Sequence, residues 1–142
     1  MRIPKMLLMG LLMLMVSGCA TRLTANIVPG KSLDDLGTFY VERFEPDQRN
    51  LHMLISDKLT KKGYQATAGE SGQTPADAQV LVTYKDNWRW DITNYMIKLE
   101  IHLRDPADRT LIASGESYRT SLARKSPPEM IDETLTKIFE KK

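Results

Sequence analysis

The sequence predicts an α+β fold, a two-layer sandwich in which an antiparallel or mixed sheet of about four to five strands carries two helices on one face. Period-two alternation of apolar residues across 77–121 indicates three consecutive strands. Apolar residues at helical spacing in 47–62 and 126–139 indicate two helices. The order is strand, helix, strand, three-stranded meander and helix, which favours helices packed together on one side of the sheet.

The first strand and the first helix are predicted at 37–44 and 47–62. The strand alternates apolar residues, and Asp47 after Pro46 is a candidate N-cap for the helix. Gly63 suits the position that follows the helix C-terminus. The apolar stripe of this helix contains Leu51, Leu54, Ile55 and Leu59.

A short strand at 64–67 and a turn-rich loop at 68–76 lead into the meander. Its third strand, 110–121, follows a tight turn at 105–109 and contains Gly115, a candidate bulge or bend. One face of the first two strands is expected to carry Val80, Val82, Tyr84, Trp88, Trp90 and Ile92, and then Tyr95, Ile97, Leu99, Ile101 and Leu103.

The last helix has a clear N-terminal signature. Ser126 is its predicted N-cap, Pro127 suits the first helical position, and Glu129 completes a capping box. The apolar stripe that should face the sheet contains Met130, Ile131, Leu135, Ile138 and Phe139.

The N-terminus has the organisation of a secretory signal. Arg2 and Lys5 precede Met6–Val16, an unbroken run of apolar residues with one glycine. This run suits a signal-peptide h-region and is shorter than the roughly 20 residues of a spanning helix. The alternative, a buried core helix, is disfavoured because the run has no polar face.

Small residues before the single cysteine predict a lipoprotein processing site. The run Val16-Ser17-Gly18-Cys19 resembles bacterial lipoprotein signals. That resemblance implies cleavage between Gly18 and Cys19, acylation of Cys19 and, because Ala20 follows instead of Asp, placement on the periplasmic face of the outer membrane. The predicted organisation is a signal peptide at 1–18, a lipidated terminus and flexible tether at 19–36, which could contain a short strand near 26–28, and a periplasmic domain at 37–142.

Composition limits the partners of this domain. The chain has 20 Lys and Arg against 18 Asp and Glu, and two of the basic residues lie in the leader. The remainder is therefore balanced, which gives no electrostatic argument for nucleic acid. Since Cys19 is the one cysteine, no intrachain disulfide and no catalytic thiol are expected once it is acylated.

The most distinctive local motif is the run Trp88-Arg89-Trp90-Asp91. Clustered tryptophans are enriched at recognition sites, so Trp88 and Trp90 are candidates for a binding surface. Tyr95 and Arg124 are expected to extend that surface. The alternative is that both indole rings cover the core or one end of the sheet.

No motif predicts catalysis, a cofactor or a metal. The chain lacks a nucleophile elbow, a P-loop and a dinucleotide fingerprint, so we expect a protein that is not an enzyme. His52 and His102 have no partner at metal-ligand spacing and are expected to be solvated. The pair Asp132-Glu133 and the loop pair Arg124-Lys125 are also interpreted as solvated surface, although the loop pair could attract an anion.

The region 78–139 resembles uncharacterised proteobacterial outer-membrane lipoproteins. The motifs that carry this resemblance are the W-x-W-D run, YMIKL at 95–99, DPAD at 105–108, ASG at 113–115, YRTSL at 118–122 and RKSP at 124–127. The resemblance implies a βαβββ-type sandwich, shared with periplasmic accessory domains, and the envelope location. It carries no catalytic residue.

These observations favour a lipid-anchored domain that binds another envelope component as a scaffold or accessory factor. The alternative is a small-molecule or lipid carrier with a pocket near Trp88 and Trp90. A hydrolase with a composite site is the third and weakest hypothesis. The expected contacts are therefore with the membrane, through the lipid, and with an envelope protein.

Overall fold

The computed structural model describes residues 21–141 and has an α+β fold, with two helices and a six-stranded mixed sheet in the order β1-β6-β5-β4-β2-β3. The strands are β1 (Arg22–Ile27), β2 (Thr38–Glu42), β3 (Gln65–Gly69), β4 (Val80–Asp91), β5 (Thr93–Arg104) and β6 (Leu111–Tyr118); the helices are α1 (Leu51–Lys61) and α2 (Pro127–Phe139). The fold class is as predicted, but the sheet has more strands than the four to five expected.

The additional strand is β1, which occupies part of the segment predicted as a tether. Residues 22–27 pair antiparallel with β6, from Arg22 opposite Tyr118 to Ile27 opposite Ala113. Burial alternates along β1, since Leu23, Ala25 and Ile27 are half-buried and their neighbours are exposed. The flexible tether over 19–36 is therefore wrong for these residues, and Leu33 beyond them is also buried.

The other half of the sheet is parallel. β2 pairs in parallel with β3 on one side and with β4 on the other, and α1 is the crossover between β2 and β3. β4, β5 and β6 form the predicted antiparallel meander. The helices contact each other and the same side of the sheet, and their apolar stripes join one buried core. The other side of the sheet, the open face, carries no helix among the described residues.

A bulge in β5 changes which side chains enter the core. Asn87 pairs with Lys98 and Trp88 pairs with Met96, so Ile97 has no opposite partner. Met96 is consequently buried, whereas Tyr95 and Ile97 are only half-buried. The predicted core face is correct from Leu99 onwards and wrong for Tyr95 and Ile97, because one extra residue reverses the alternation.

Gly115 has a packing role instead of the predicted bulge or bend. It lies in regular pairing, opposite Ala25 and Ile101. A Cβ atom at this position would come within 2.7 Å of Cγ1 of Ile138 on α2. Glycine therefore allows the last helix to lie close to β6. The predicted capping box, formed by Ser126 and Glu129, is confirmed at the start of that helix.

Glu133 joins α2 to β6, contrary to the expectation that Asp132-Glu133 is solvated. Its carboxylate accepts hydrogen bonds from the Ser117 hydroxyl, the Arg119 guanidinium and the Lys125 ammonium group. Burial raises the pKa of Glu133, but these donors outweigh it and lower that pKa overall. Lys125 is therefore part of an internal network instead of a solvated loop.

Replacing Glu133 with glutamine should lower the free energy of unfolding by about 2 kcal/mol, because hydrogen bonds to a charged group are lost in a sparsely hydrated site. The neighbouring Asp132→Asn is the matched control. The Asp132 side chain is 50% exposed against 12% for Glu133. Urea unfolding of both variants tests the prediction, and equal midpoints would contradict it.

Candidate functional site

The two tryptophans of the W-x-W-D motif have different environments. Trp88 is half-buried, its ring lies 3.8 Å below the Arg49 guanidinium carbon, and its indole nitrogen donates to Asp86 Oδ2 at 2.5 Å. Trp90, two residues further on, is 73% exposed. The two rings therefore differ: Trp88 covers the edge of the core, whereas Trp90 is exposed and available to a partner.

Tyr95 and Arg124 lie together, but on the opposite face of the β4–β5 hairpin from the tryptophans. Tyr95 pairs with Arg89, whereas Trp88 pairs with the core residue Met96. The Arg124 guanidinium carbon lies 4.1 Å from the Tyr95 ring centroid. The four candidate residues Trp88, Trp90, Tyr95 and Arg124 therefore do not form the single surface that was predicted.

Arg124 connects the loop before α2 to the end of the β4–β5 hairpin through hydrogen bonds. Its guanidinium donates to Thr93 Oγ1 at 2.9 Å and to the Asp91 carboxylate at 3.2 Å. The ion pair with Asp91 offsets the positive charge of Arg124, which the alternative interpretation of this loop had assigned to anion binding. Leu122 lies two residues before Arg124, in a short 3-10 turn at Ser121–Ala123.

Three exposed apolar side chains lie at this end of the molecule, and we call them the apolar tip. Trp90, Ile92 and Leu122 are 73%, 87% and 83% exposed. Ile92 also has a positive φ of 62°, a conformation that is unfavourable for a β-branched residue. The exposure of Ile92 differs from the core-face position that the alternation predicts, because periodicity cannot show where a hairpin leaves its sheet.

The apolar tip lies at the end of the sheet where the described chain begins. Arg22, the first residue of β1, is opposite Tyr118, which is opposite Lys98 on β5, which pairs with Asn87 on β4. The β4–β5 hairpin continues past this row of residues to Asp91, a further distance of about 13 Å at the usual rise of a strand. The chain therefore enters the fold beside the base of the projecting hairpin.

The open face of the sheet carries a network of charges. Glu116 accepts hydrogen bonds from Arg22, at 2.8 and 2.6 Å, and lies 3.1 Å from Lys98. Burial raises the pKa of Glu116, but Arg22 and Lys98 lower it overall. Lys98 also pairs with Glu100 at 3.2 Å. Lys98 and Glu100 are among the polar residues that alternate with the buried apolar residues along β5.

A concave site of about 630 Å³ lies at the far end of the same face, and we call it the open-face cleft. Arg109 makes a two-point ion pair with Glu42 in its wall, with N–O distances of 2.8 and 3.1 Å. That hydrogen bonding lowers the pKa of Glu42 in spite of burial. Further lining residues include Arg43, Thr83, Lys85, His102 and Arg104; neither Trp88 nor Trp90 is among them.

The two histidines differ from the solvated state predicted for both. His52 is buried in the first turn of α1, and its Nδ1 lies 3.9 Å from Asp47 Oδ2. His102 is half-buried at the open-face cleft, and burial together with Arg104 lowers its pKa.

Across residues 21–141, no group of three His, Cys, Asp or Glu side chains is arranged to hold a metal ion. No helix in that range has the length and hydropathy to span a membrane.

The arrangement defines a small α+β domain whose fold two solved structures share. A PelC dodecamer from Paraburkholderia phytofirmans (space group P6) is 13% identical, with a TM-score of 0.59 over 83% of this chain and 96% of that chain. A PelC variant from the same organism, a dodecamer in space group C2, is 14% identical, with a TM-score of 0.62 over 83% and 97% of the two chains. Identities this low show a likeness of fold alone.

No protein-family model matches this sequence, and no curated protein sequence matches it either. The signal peptide, the cleavage site at Gly18 and Cys19, and the lipidation of Cys19 lie outside the described residues. These predictions therefore rest on the sequence.

Proposed function

We propose that this protein is a non-catalytic, lipid-anchored envelope domain that stands on the periplasmic face of the outer membrane and presents its sheet to another envelope component. The observation that carries this proposal is the common position of the chain entry and the apolar tip. A lipid on Cys19 and three exposed apolar side chains at the same end of the domain favour one surface, the bilayer.

Chain length restricts how far the domain can stand from the lipid. Only two residues lie between Cys19 and Arg22, so the three Cα–Cα steps that join them reach about 10 Å when fully extended. The hairpin extends about 13 Å beyond the row that contains Arg22. An acylated Cys19 at the bilayer surface would therefore bring the apolar tip to the depth of the headgroups, where tryptophan is favoured.

This orientation makes the opposite end of the sheet available to partners. Arg104 and the turn after it lie at the end of β5 remote from Thr93 and the tip. The open-face cleft would then face the periplasm. The scaffold hypothesis needs such an accessible surface, and the alternative hypothesis of a carrier is supported better by this cleft than by a pocket at Trp88 and Trp90.

Trp90 fluorescence should be quenched by brominated acyl chains when the acylated full-length protein is reconstituted in phosphatidylethanolamine and phosphatidylglycerol vesicles. Trp88 and Trp90 are the two tryptophans of the chain, so each can be studied alone. Trp88→Phe should retain the quenching because Trp90 remains at the membrane. Trp90→Phe should lose most of it because Trp88 is covered by Arg49.

The two variants are matched controls for each other, since both proteins remain anchored by lipid. Equal quenching of both variants, or quenching of neither, would contradict contact between the apolar tip and the bilayer. Flotation of the same samples reports anchoring separately. A protein that floats without quenching would retain the lipid anchor and lose only the proposed orientation.

A further inference from the structure

The open-face cleft contains positive charges that its own carboxylates do not neutralise. Four cationic side chains line it, Arg43, Lys85, Arg104 and Arg109, against the two acids Glu42 and Glu45. Arg109 is held by Glu42, and Arg43 lies 3.2 Å from Glu70 outside the lining. Among residues 21–141, Lys85 and Arg104 have no carboxylate within ion-pair distance, and Glu45 is exposed at the rim.

Strand register brings the unneutralised groups together. Arg104 lies opposite Leu81 and His102 lies opposite Thr83, so these two side chains are neighbours on the open face. Lys85 is two residues beyond Thr83 on the same face and lies diagonally across from His102; the residue directly opposite it is Glu100, whose carboxylate pairs with Lys98 at 3.2 Å. Arg104 and Lys85 therefore flank His102 from its two sides, and the positive potential between them favours an anion.

Arg104 is held in place by neutral acceptors. Its Nε donates to Thr83 Oγ1 at 3.1 Å, and its Nη1 donates to the Arg109 carbonyl at 3.0 Å. These contacts fix the plane of the guanidinium without neutralising it. An oriented, partly desolvated guanidinium is the group that proteins use for carboxylates and phosphates.

His102 provides a third polar group and an internal reporter. Burial is the main cause that lowers its pKa; Arg104, Lys85 and Lys98 lower it further, and Glu100 acts in the opposite direction. Ser114, its neighbour on β6, is uncharged. The imidazole is thus mostly neutral at pH 7, and a bound anion would raise its pKa.

We propose that the open-face cleft binds the oxyanion, carboxylate or phosphate, of a small polar ligand, through Arg104 and Lys85 with His102 in the wall. A volume of about 630 Å³ lies in the range of small-molecule sites and accommodates a ligand the size of a sugar acid or a sugar phosphate. The cleft lies on the open face of the sheet, so binding of an anion there would not depend on acylation of Cys19.

The test is an NMR titration of the histidine ring signals in the full-length protein, purified in a nonionic detergent at constant ionic strength. Inorganic phosphate and glucuronate are the two probes, and glucose is the uncharged control. We expect a probe to raise the pKa of His102 at millimolar concentrations and to leave the ring signals of His52, which is buried in the first turn of α1, unchanged. A response to phosphate alone assigns a phosphate site, a response to glucuronate alone assigns a carboxylate site, and a response to both supports a general oxyanion site.

Two variants identify the residues that bind the probe. Lys85→Gln and Arg104→Gln should each weaken binding roughly tenfold, since each removes a charged contact. Lys61→Gln, on the exposed surface of α1, should have no effect. Lys85 is exposed, so its variant remains informative if Arg104→Gln fails to fold. The proposal is overturned if neither anion changes the His102 pKa, if glucose has the same effect, or if the cleft variants bind as well as Lys61→Gln.

Discussion

Replacement of Cys19 by serine is expected to abolish incorporation of labelled palmitate and to move the protein from the membrane pellet to the soluble fraction. Cys19 is the single cysteine of the chain, so no other thiol can accept a thioether lipid. Each buried methylene contributes about 0.8 kcal/mol, and stable anchoring needs two or more acyl chains. A protein that has lost all its acyl chains should therefore no longer sediment with the membranes.

The matched control is Ser17→Ala, which changes the processing site but retains a small residue there. This variant should still be cleaved, labelled and membrane-bound. Fractionation of both variants from cells, with separation of inner and outer membranes, also tests the location inferred from Ala20. A Cys19→Ser protein that still acquires palmitate and sediments with membranes would refute the anchor.

The apolar tip cannot replace the lipid in this experiment. Its three side chains, Trp90, Ile92 and Leu122, can enter only the interfacial region, and a surface of that size is small beside two acyl chains. The expected division of roles is that the lipid supplies affinity and the tip supplies orientation. Fractionation tests the first role, and quenching by brominated lipid tests the second.

Local signals in the sequence were sufficient for most of the fold. The helices were predictable because their apolar stripes and the capping box depend on neighbouring residues. β1 was anticipated only as a short strand near 26–28 in a tether, although Leu23, Ala25 and Ile27 alternate with polar residues, because an edge strand buries only one face and short polar strands resemble linkers. The bulge at Ile97 has no local signal, since it follows from pairing with Asn87 and Trp88 on another strand.

The candidate site was predictable only in part, for the same reason. The tryptophan motif lies in the β4–β5 hairpin, but the exposure of Trp90 depends on how far β4 and β5 extend beyond their pairing with β6. The open-face cleft was not predicted. Its groups lie on alternate positions of two strands, and in sequence they resemble the ordinary polar face of a sheet. Register, and the pairing of Arg109 with Glu42, decide which charges remain unneutralised.

Asp47→Ala is expected to cause a large loss of stability, about 3 kcal/mol, because this carboxylate is the polar centre beneath α1. Asp47 is 1% exposed. Its oxygens accept hydrogen bonds from the amides of Arg49 and Leu51, at 2.7 and 2.6 Å, and from the Tyr84 hydroxyl at 2.7 Å. Removal of the carboxylate leaves three donors in a nearly dry environment without an acceptor.

Asp47 performs the capping role that the sequence predicted, although the residue before α1 is Asn50. Asn50 has a left-handed conformation and makes no side-chain cap, whereas the Asp47 carboxylate accepts a hydrogen bond from the first helical amide, that of Leu51, four residues later. The same carboxylate therefore accepts a hydrogen bond from the first amide of the helix and another from the hydroxyl of the core residue Tyr84. This double role explains why the expected loss exceeds that of an ordinary surface cap.

The same carboxylate predicts a pH dependence. Burial raises the pKa of Asp47, but the hydrogen bonds from Tyr84, Arg49 and Leu51 outweigh it, and the folded-state pKa lies below its ordinary value. A depressed pKa contributes stability above the unfolded-state value of about 3.9, and this contribution is lost as pH falls through the folded-state pKa. The Asp47→Ala variant should therefore lose less stability on acidification than the wild-type protein.

Urea unfolding at neutral and acidic pH measures both effects, with Asp57→Ala as the matched control. Asp57 is on the exposed surface of α1, where it pairs with Lys61, and its removal should change stability by no more than about 0.5 kcal/mol. Tyr84→Phe removes a single donor and should cost about 1 kcal/mol. If Asp47→Ala is no less stable than Asp57→Ala, the buried carboxylate does not hold α1 on the sheet.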